Sequence, residues 1–327
     1  MLLHGPNGAG KTNLLEALHV GTQGFSPRAR RDVQMIRFGT PAARVGLRGA
    51  LGQGAFETDV VLAAHEPRTV VLNGERLGSA ERLRHELTTL VFTPDRLAVV
   101  KGAPATRRAY LDRALGRLFP ARATLGTEYA GAVGQRNAGL RRVRAGRSTR
   151  LALAPWSERV ATLGGELVRA RTEAVTLLAE GFSRIAGQLG LADATLAYEG
   201  EPPTLAELDA RFEADLERGL TGAGPHLHDL RIEGGKRDLR VFGSQGEQRV
   251  AVLALVLAEA ESMRERAGTS PLVLLDDVLS ELDGSRREAL ADMISQGTQT
   301  VVTATAAAAF PGTPAQVLAV APGEVVA

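Results

Sequence analysis

The chain has 327 residues, 44% of them hydrophobic, with a formal net charge of +2 and no cysteine. That is enough apolar content for one large domain or two ordinary ones, and it excludes disulfides and thiolate metal sites. The lack of cysteine makes a reducing cytoplasm the expected compartment, and no apolar run reaches the roughly 18 residues of a membrane span, so no membrane partner is expected. The charge is uneven: residues 101–150 hold 12 Lys or Arg against 2 Asp or Glu, and residues 251–300 hold 4 against 9. A basic middle on a nearly neutral chain predicts a polyanionic partner for that region.

In chain order, the first signal is Gly5-Pro6-Asn7-Gly8-Ala9-Gly10-Lys11-Thr12, which matches G-x-x-x-x-G-K-[ST], the phosphate-binding loop. Gly5, Gly8 and Gly10 let the backbone wrap tightly and turn its N–H groups toward phosphate oxygens. Leu14, Leu15 and Leu18 follow at helical spacing and predict a helix over 11–18, whose N-terminal dipole favours the same anion. Lys11 would reach the β- and γ-phosphates, and the Thr12 hydroxyl would ligate Mg²⁺. A strand ahead of such a loop runs about five or six residues, yet only Met1, Leu2, Leu3 and His4 precede Gly5. The expectation is a chain that starts downstream of its natural start, rather than a sheet that has lost this strand and its neighbours.

A polar surface loop over 23–32 leads to short strands over 33–38, 44–50, 55–62 and 69–72. Asn73-Gly74 predicts a two-residue hairpin turn into 75–77, and a short buried strand over 90–92 stops at Pro94. Apolar residues at three- and four-residue spacing predict helices over 106–118, 124–144, 156–189 and 204–219, with a basic turn over 145–153 and a strand over 191–198. These helices are too short for a sustained heptad coiled coil and predict a compact lobe. Strands return over 229–232 and 238–242, joined at Gly234-Gly235. A helix over 245–266, a buried strand over 272–275, a helix over 285–295 and a last strand over 300–304 complete the chain. The fold expected is α/β: a parallel core sheet plus an antiparallel meander, split between residues 1–100 and 220–327, with a mainly helical lobe inserted at 101–219.

The apolar run 272–275 delivers Asp276 to the carboxyl end of a buried strand, where α/β sheets bind ligands. Asp276 would hold Mg²⁺, directly or through water, and Asp277 stands where a base or water-positioning carboxylate is needed. On most chains such a run is only a strand leaving the core; a phosphate loop on the same chain makes it the other half of a nucleotide site. Ser244-Gln245-Gly246-Glu247-Gln248 opens the 245–266 helix. Ser244 with Glu247 three residues on is a capping box, and a capped N-terminus with Gly246 open to close approach is also a second anion site.

The order of phosphate loop, Ser-x-Gly-x-Gln, Asp-Asp and then Ser280-Glu281-Leu282-Asp283 resembles the ABC ATPase superfamily, with its signature motif and D-loop. The separation of 233 positions from Lys11 to Ser244 exceeds the spacing of transporter subunits and resembles the SMC-related DNA-repair branch, and within it the RecF family. The matching segments are GxNGxGKTNLLEA over 5–17, Phe92-Thr93-Pro94-Asp95, and Lys101-Gly102 with Pro104, Arg107, Arg108, Leu111 and Asp112. Gln135-Arg136-Asn137-Ala138, Gly224-Pro225-His226, residues 244–249 and LLDDVxSELD over 274–283 complete the set. The resemblance implies an ABC-type ATPase head with weak, DNA-dependent ATPase activity, using ATP and Mg²⁺. It implies an ATP-dependent homodimer on duplex or gapped DNA and a RecR-type mediator as partner. The roles implied are recombinase loading, gap repair, replication-fork maintenance and the SOS response.

By the same resemblance, Ser244 of one subunit, with Gly246 and Gln248, closes on the γ-phosphate held by the other. Nucleotide contacts extend to Asn13 and to Asp283 of the D-loop, and catalysis is assigned to Lys11, Asp277 and Ser244. Gln34 is the candidate γ-phosphate-sensing glutamine, or else an exposed strand residue. Arg136, Arg141, Arg142 and Arg144 are candidate contacts to the DNA backbone, and the scarcity of aromatics among them favours duplex over stacked single strands. A solvated, arginine-rich helix end is the alternative. His226 has no second ligand at metal spacing and reads as a hydrogen-bonded structural histidine. The family pattern places strands and an Arg-Asn-aromatic segment ahead of the phosphate loop that this sequence lacks, so an ATP-gated DNA clamp without turnover stands as the second functional reading. The family's GPHRDD becomes Gly224-Pro225-His226-Leu227-His228-Asp229, and no role of that arginine passes to Leu227.

Overall fold

A computed structural model of the chain describes residues 1–29, 31–51, 54–268, 270–295 and 298–326. Two compact units are present: Met1–Arg96 with Gln188–Gly190 and Val252–Ala327, and Leu97–Gly187 with Leu191–Ala251.

The first unit is built on a six-stranded sheet. In spatial order its strands are Glu324–Val326, Val317–Ala321, Leu2–His4, Thr300–Ala304, Leu272–Leu275 and Thr89–Phe92. All neighbours run parallel except the outermost pair, where Val320 faces Val325 in antiparallel register. Strands covered on both faces read as continuous apolar runs, which is why 272–275 and 300–304 are legible in the sequence. The strand ahead of the phosphate loop is short but paired on both sides, Leu3 lying opposite Thr303 and Leu318. The strand expected to be last is followed by two more, set among alanines, prolines and glycines that obscure any apolar period.

The helix after the phosphate loop spans Lys11–Gln23, one turn and more beyond the expected 11–18, and ends where Gly24 turns left-handed at φ 74°. Its far end is tied down by hydrogen bonds. Thr58 Oγ1 donates to the Gly21 carbonyl at 2.7 Å, Thr89 Oγ1 to Thr22 Oγ1 at 2.8 Å, and Gln23 Nε2 to the Leu87 carbonyl at 2.6 Å. Leu15 packs with Leu3, Val91, Leu274 and Val301 in the core beside the sheet. The loop is thereby carried on a helix fixed at both ends.

A second sheet, Ala42–Leu51, Gly54–Ala63, Glu66–Leu72 and Glu75–Leu77, forms the expected antiparallel meander. Asn73 and Gly74 take φ of 51° and 83° at its hairpin, as a two-residue turn requires. Val60, Leu62, Val70 and Leu72 alternate inward. The strand expected over 33–38 is instead a 3₁₀ turn, Asp32–Met35. Ser26, in the loop expected at the surface, is buried, and its hydroxyl accepts the amides of Arg28 and Ala29; Arg30 of the same loop lies outside the described residues.

The second unit holds helices Pro104–Leu118, Leu125–Arg144 and Ala154–Gln188 up to Gly187, then Leu205–Ala210 and Phe212–Arg218. The single helix expected over 204–219 is thus broken at Arg211. A three-stranded antiparallel sheet joins Thr195–Glu199, Asp229–Gly234 and Arg237–Asp238. Its hairpin turns at Gly235 and Lys236, both at positive φ, one residue later than expected. The strand expected over 238–242 ends at once, because the Asp238 carboxylate accepts the Arg240 amide at 2.8 Å and starts the helical turn Leu239–Phe242.

Candidate functional site

The three glycines of the phosphate loop answer two different needs. Gly8 and Gly10 take φ of 82° and 105°, left-handed conformations open to glycine at little cost. Gly5 is required by space, since a Cβ there would collide with the Val320 carbonyl. Lys11 heads the helix, and its Nζ donates to the Gly5 and Pro6 carbonyls at 2.7 and 2.9 Å. Two carbonyls hold the ammonium over the loop without neutralising it, and no carboxylate pairs with it among the described residues.

Asp276 stands at the carboxyl end of Leu272–Leu275 and is 5% exposed. Its Oδ1 accepts hydrogen bonds from Thr12 Oγ1 at 3.0 Å and from Thr303 Oγ1 at 2.9 Å. Burial pushes this carboxyl above the usual carboxylate range; the bonds from Thr303 and Thr12 and the charge of Arg28 oppose the rise, and Asp277 adds to it. Asp277 is exposed and left-handed, at φ 49°. Its N–H donates to Thr303 Oγ1 at 2.8 Å, and its carbonyl accepts from Ser280 Oγ at 3.0 Å. A buried carboxylate beside a hydroxyl on a phosphate loop is the oxygen-donor set that suits Mg²⁺. Among the described residues no group of three or more His, Asp or Glu could hold a metal by itself.

Two contributors escape a reading of the sequence. Thr303 bonds both acids, and its only signal is a threonine at the end of a buried strand. Arg28 acts on Asp276 through its charge from a loop 248 residues away in sequence, a proximity no spacing rule reveals.

In the second unit, Ser244 and Glu247 form the expected reciprocal cap: the Ser244 amide donates to Glu247 Oε2 at 2.7 Å and the Glu247 amide to Ser244 Oγ at 3.2 Å. Ser244, Gln245 and Gly246 are exposed at the start of Gln245–Ala267. Gln248 differs. It is buried, and its Nε2 donates to the Leu239 and Gly243 carbonyls at 2.8 and 3.2 Å. Its side chain therefore holds the loop before Ser244 and is corrected from ligand contact to scaffold. In the first unit, Asp283 caps Gly284–Ser295, accepting the Arg286 amide at 3.0 Å and the Ser285 hydroxyl at 2.8 Å. These two bonds, the amide's most, hold its carboxyl below the usual carboxylate range. Asn13 is exposed on the second residue after Lys11. Gln34 is exposed too, but on the 3₁₀ turn rather than a strand, and its Oε1 accepts the Arg31 amide at 3.1 Å.

Two matched arginines of the second unit, Arg107 and Arg136, turn inward. Arg107, 3% exposed, grips Asp229 through Nε and Nη2 at 2.7 and 2.6 Å, while its Nη1 caps the Val100 and Gly102 carbonyls. Arg171 grips Asp112 at 2.8 and 2.9 Å. Arg136, 1% exposed, bonds Asp215 at 2.7 Å, Thr221 at 2.9 Å and Ser157 at 3.2 Å. Arg136 is thereby removed from the candidate DNA contacts, because no donor edge faces solvent. Arg141, Arg142 and Arg144, farther along the same helix, are not buried and make no ion pair among the described residues. Arg141 and Arg144 bond the Gly219 and Glu217 carbonyls. His226 is the structural residue expected: Nε2 donates to the Thr221 carbonyl at 2.9 Å, leaving Nδ1 to accept the Tyr129 hydroxyl at 2.7 Å. Leu227, beside it, is 56% exposed.

Comparison with known proteins gives the family of the chain. The family model described as the RecF/RecN/SMC N terminal domain matches residues 1–322. The chain is 34% identical over 325 residues to the DNA replication and repair protein RecF of Heliobacterium modesticaldum, covering 94% of this chain and 86% of that one. It is 39% identical over 310 residues to the protein of that name from Anaeromyxobacter dehalogenans strain 2CP-C, covering 88% and 81%. Among solved structures it superposes on the recombination mediator protein RecF-ATPrS of the RecFOR pathway with a TM-score of 0.82 and 25% identity, over 99% of this chain and 91% of that one. An Smc head domain from Pyrococcus furiosus shares the fold at a TM-score of 0.59 and 17% identity, over 99% and 88%.

Proposed function

Since the chain belongs to the RecF family, within the RecF/RecN/SMC N-terminal group, we propose that it is a DNA-repair ATPase that binds Mg·ATP on residues 5–13 and dimerises with ATP on duplex or gapped DNA. The observation that carries this reading is the meeting of Thr12 and Asp276, 264 residues apart in sequence, at 3.0 Å, with an un-neutralised Lys11 on one side and an exposed Asp277 on the other. Lys11 already points over the loop and would exchange its carbonyl partners for phosphate oxygens. Thr12 and Asp276 would hold Mg²⁺, which when bound neutralises charge on the phosphates. Asp277 would orient the attacking water and take its proton.

The functional division we favour keeps residues 220–327 with 1–100 as the nucleotide head and 101–219 as the inserted lobe. It differs from the division into compact units at 97–100, 188–190 and 220–251, the last of which carries Ser244. Ser244 and Gly246 would meet the γ-phosphate of a second copy in a two-fold dimer, with Asp283 of the D-loop beside them. The outward Arg141, Arg142 and Arg144 would track DNA phosphates. Among the described residues no helix is long and apolar enough to cross a membrane, and the proposed setting is the cytoplasm, with a RecR-type mediator as partner in recombinase loading. The relatives' name, DNA replication and repair protein RecF, and the RecFOR pathway of the solved mediator support that setting.

The experiment is ATP binding by Lys11→Ala. Removing two charge-assisted bonds at about 1.5 kcal/mol each should weaken ATP about 100-fold while the fold persists. Wild-type affinity would show that the loop is not the phosphate site.

A further inference from the structure

We propose that Thr303 is the positioning residue of the nucleotide site, a single hydroxyl that sets Asp276 and Asp277 into their two separate roles. The proposal rests on the nucleotide reading above. Thr303 Oγ1 donates its one hydrogen to Asp276 Oδ1 at 2.9 Å and accepts the Asp277 N–H at 2.8 Å, which a hydroxyl with one hydrogen and two lone pairs can do at once. At 1% exposure, neither bond is shared with bulk water.

The sheet register explains how one side chain reaches both acids. Val302 pairs with Leu2 on one side and Leu275 on the other, so Thr303 lies one step past the strand that delivers Asp276. It also lies opposite Leu3, and the next residue, Ala304, accepts the Gly5 amide at 3.2 Å. The end of this strand therefore holds both the root of the phosphate loop and the two acids. Neighbouring positions 301 and 302 are valines. A valine at 303 would fill the same space and suit a strand equally well, but it would leave the Asp277 amide without its acceptor.

That amide matters because Asp277 is left-handed without being glycine, a conformation that persists when its surroundings over-determine it. Thr303 holds its N–H and Ser280 its carbonyl, so the backbone is clamped on both sides and the carboxylate is aimed outward. Thr12 bonds the same Asp276 oxygen, but Thr12 belongs to the loop that receives the nucleotide. Thr303 belongs to the sheet, and its bond does not depend on the loop.

The test compares Thr303→Val with Thr303→Ser by single-turnover ATP hydrolysis across a Mg²⁺ series, by ATP binding without Mg²⁺, and by thermal unfolding. Loss of a supporting hydrogen bond at a metal-ligating carboxylate costs about 10- to 100-fold. Thr303→Val should therefore slow hydrolysis per bound ATP by that factor and raise the Mg²⁺ concentration at half-maximal rate, while Mg²⁺-free ATP binding stays within about threefold. Thr303→Ser, which keeps the hydroxyl and loses the methyl, should restore both the rate and the Mg²⁺ dependence. Equal losses in the two variants would assign the residue to packing and overturn the proposal. So would wild-type hydrolysis by Thr303→Val. If Thr303→Val does not fold, the serine variant decides alone: altered Mg²⁺ dependence there overturns the proposal. Failure of the unaltered chain to bind ATP would overturn the nucleotide reading as well, and is distinguishable because the other outcomes all presuppose binding.

Discussion

Charged motif residues meet opposite fates in the two units. In the second unit, the motif residues Arg107, Asp112 and Arg136 each lie within 2.9 Å of an opposite charge, on Asp229, Arg171 and Asp215, and further donors of the arginines are used on carbonyls or hydroxyls. At the phosphate loop, among the described residues, the Lys11 ammonium bonds two carbonyls and the Asp276 carboxylate two hydroxyls. A buried ion pair with its partners complete is architecture, and its removal is felt as instability. A charge held by neutral groups is positioned but unbalanced, and it is the kind that a charged ligand completes. Motif membership therefore does not separate scaffold from site; the completeness of the partner set does.

The most severe challenge to that contrast is Asp215→Ala. It leaves Arg136 buried and unpaired, so denaturant unfolding should report a loss of about 3–5 kcal/mol. Replacing both partners by Arg136→Met and Asp215→Leu should recover most of it, because the cost lies in the orphaned charge rather than in the missing attraction. Lys11→Ala is the opposite case. The same operation, deletion of one motif charge, should change stability by less than about 1 kcal/mol while ATP affinity falls. If Lys11→Ala costs as much stability as Asp215→Ala, the distinction between complete and incomplete partner sets is wrong.

Burial pushes the site carboxyl and the structural imidazole alike toward their neutral forms, which gives an acid and a base opposite pH dependences. The Asp276 carboxyl is raised in the folded chain, so the fold holds its proton more tightly than the unfolded chain does. Its contribution to nucleotide-free stability is present below the unfolded value near 3.8 and is lost as pH rises through the folded value. Asp276→Asn should therefore raise the melting temperature at neutral pH, with the gain shrinking as pH falls, and abolish Mg²⁺-dependent hydrolysis. His226 has the reverse sign. Burial lowers its imidazole below the ordinary 6.5, so its contribution is full above 6.5 and fades as pH drops below it. Differential unfolding of wild type and His226→Gln across that window should show a smaller acid sensitivity in the variant.

How much of this is legible in the sequence follows from the physics of each element. The phosphate loop, the Asp-Asp strand and the Ser244 cap are readable because local rules dictate them: glycines for left-handed turns, an apolar run for a buried strand, and Ser with Glu three residues on for a cap. Gln248 and Arg136 mislead because polarity predicts exposure, whereas both are buried with partners 9 and 79 residues away. Val33 and Ile36 suggest a strand around Gln34, yet the reciprocal bonding of Arg31 and Gln34 closes a 3₁₀ turn there. The strand Val317–Ala321 is hidden since its alanines are weak strand signals, and its pairing with Leu2–His4 lies at the far end of the chain. Thr303 is found only once the sheet register is known.

The smallest stability effect, and the most discriminating, belongs to the outward arginines on Arg136's own helix. Arg136 and Arg141 are five residues apart on Leu125–Arg144, one saturated inside and the other facing out. Changing Arg141, Arg142 and Arg144 together to Glu removes no carboxylate partner seen in the described residues, so stability should move by no more than about 0.5 kcal/mol. If these arginines are architecture that happens to lie outside, nothing else should change. If they are unbalanced charge awaiting a polyanion, duplex DNA binding should weaken across all sequences alike, because phosphate contacts carry no base information. The salt dependence decides between the two. Each DNA phosphate that is no longer neutralised reduces the slope of log affinity against log salt by about 0.9, so the triple change should flatten it by nearly three times that amount. A variant that binds DNA with an unchanged slope would return this helix end to plain solvated surface and leave the basic middle of the chain to be explained by its buried pairs alone.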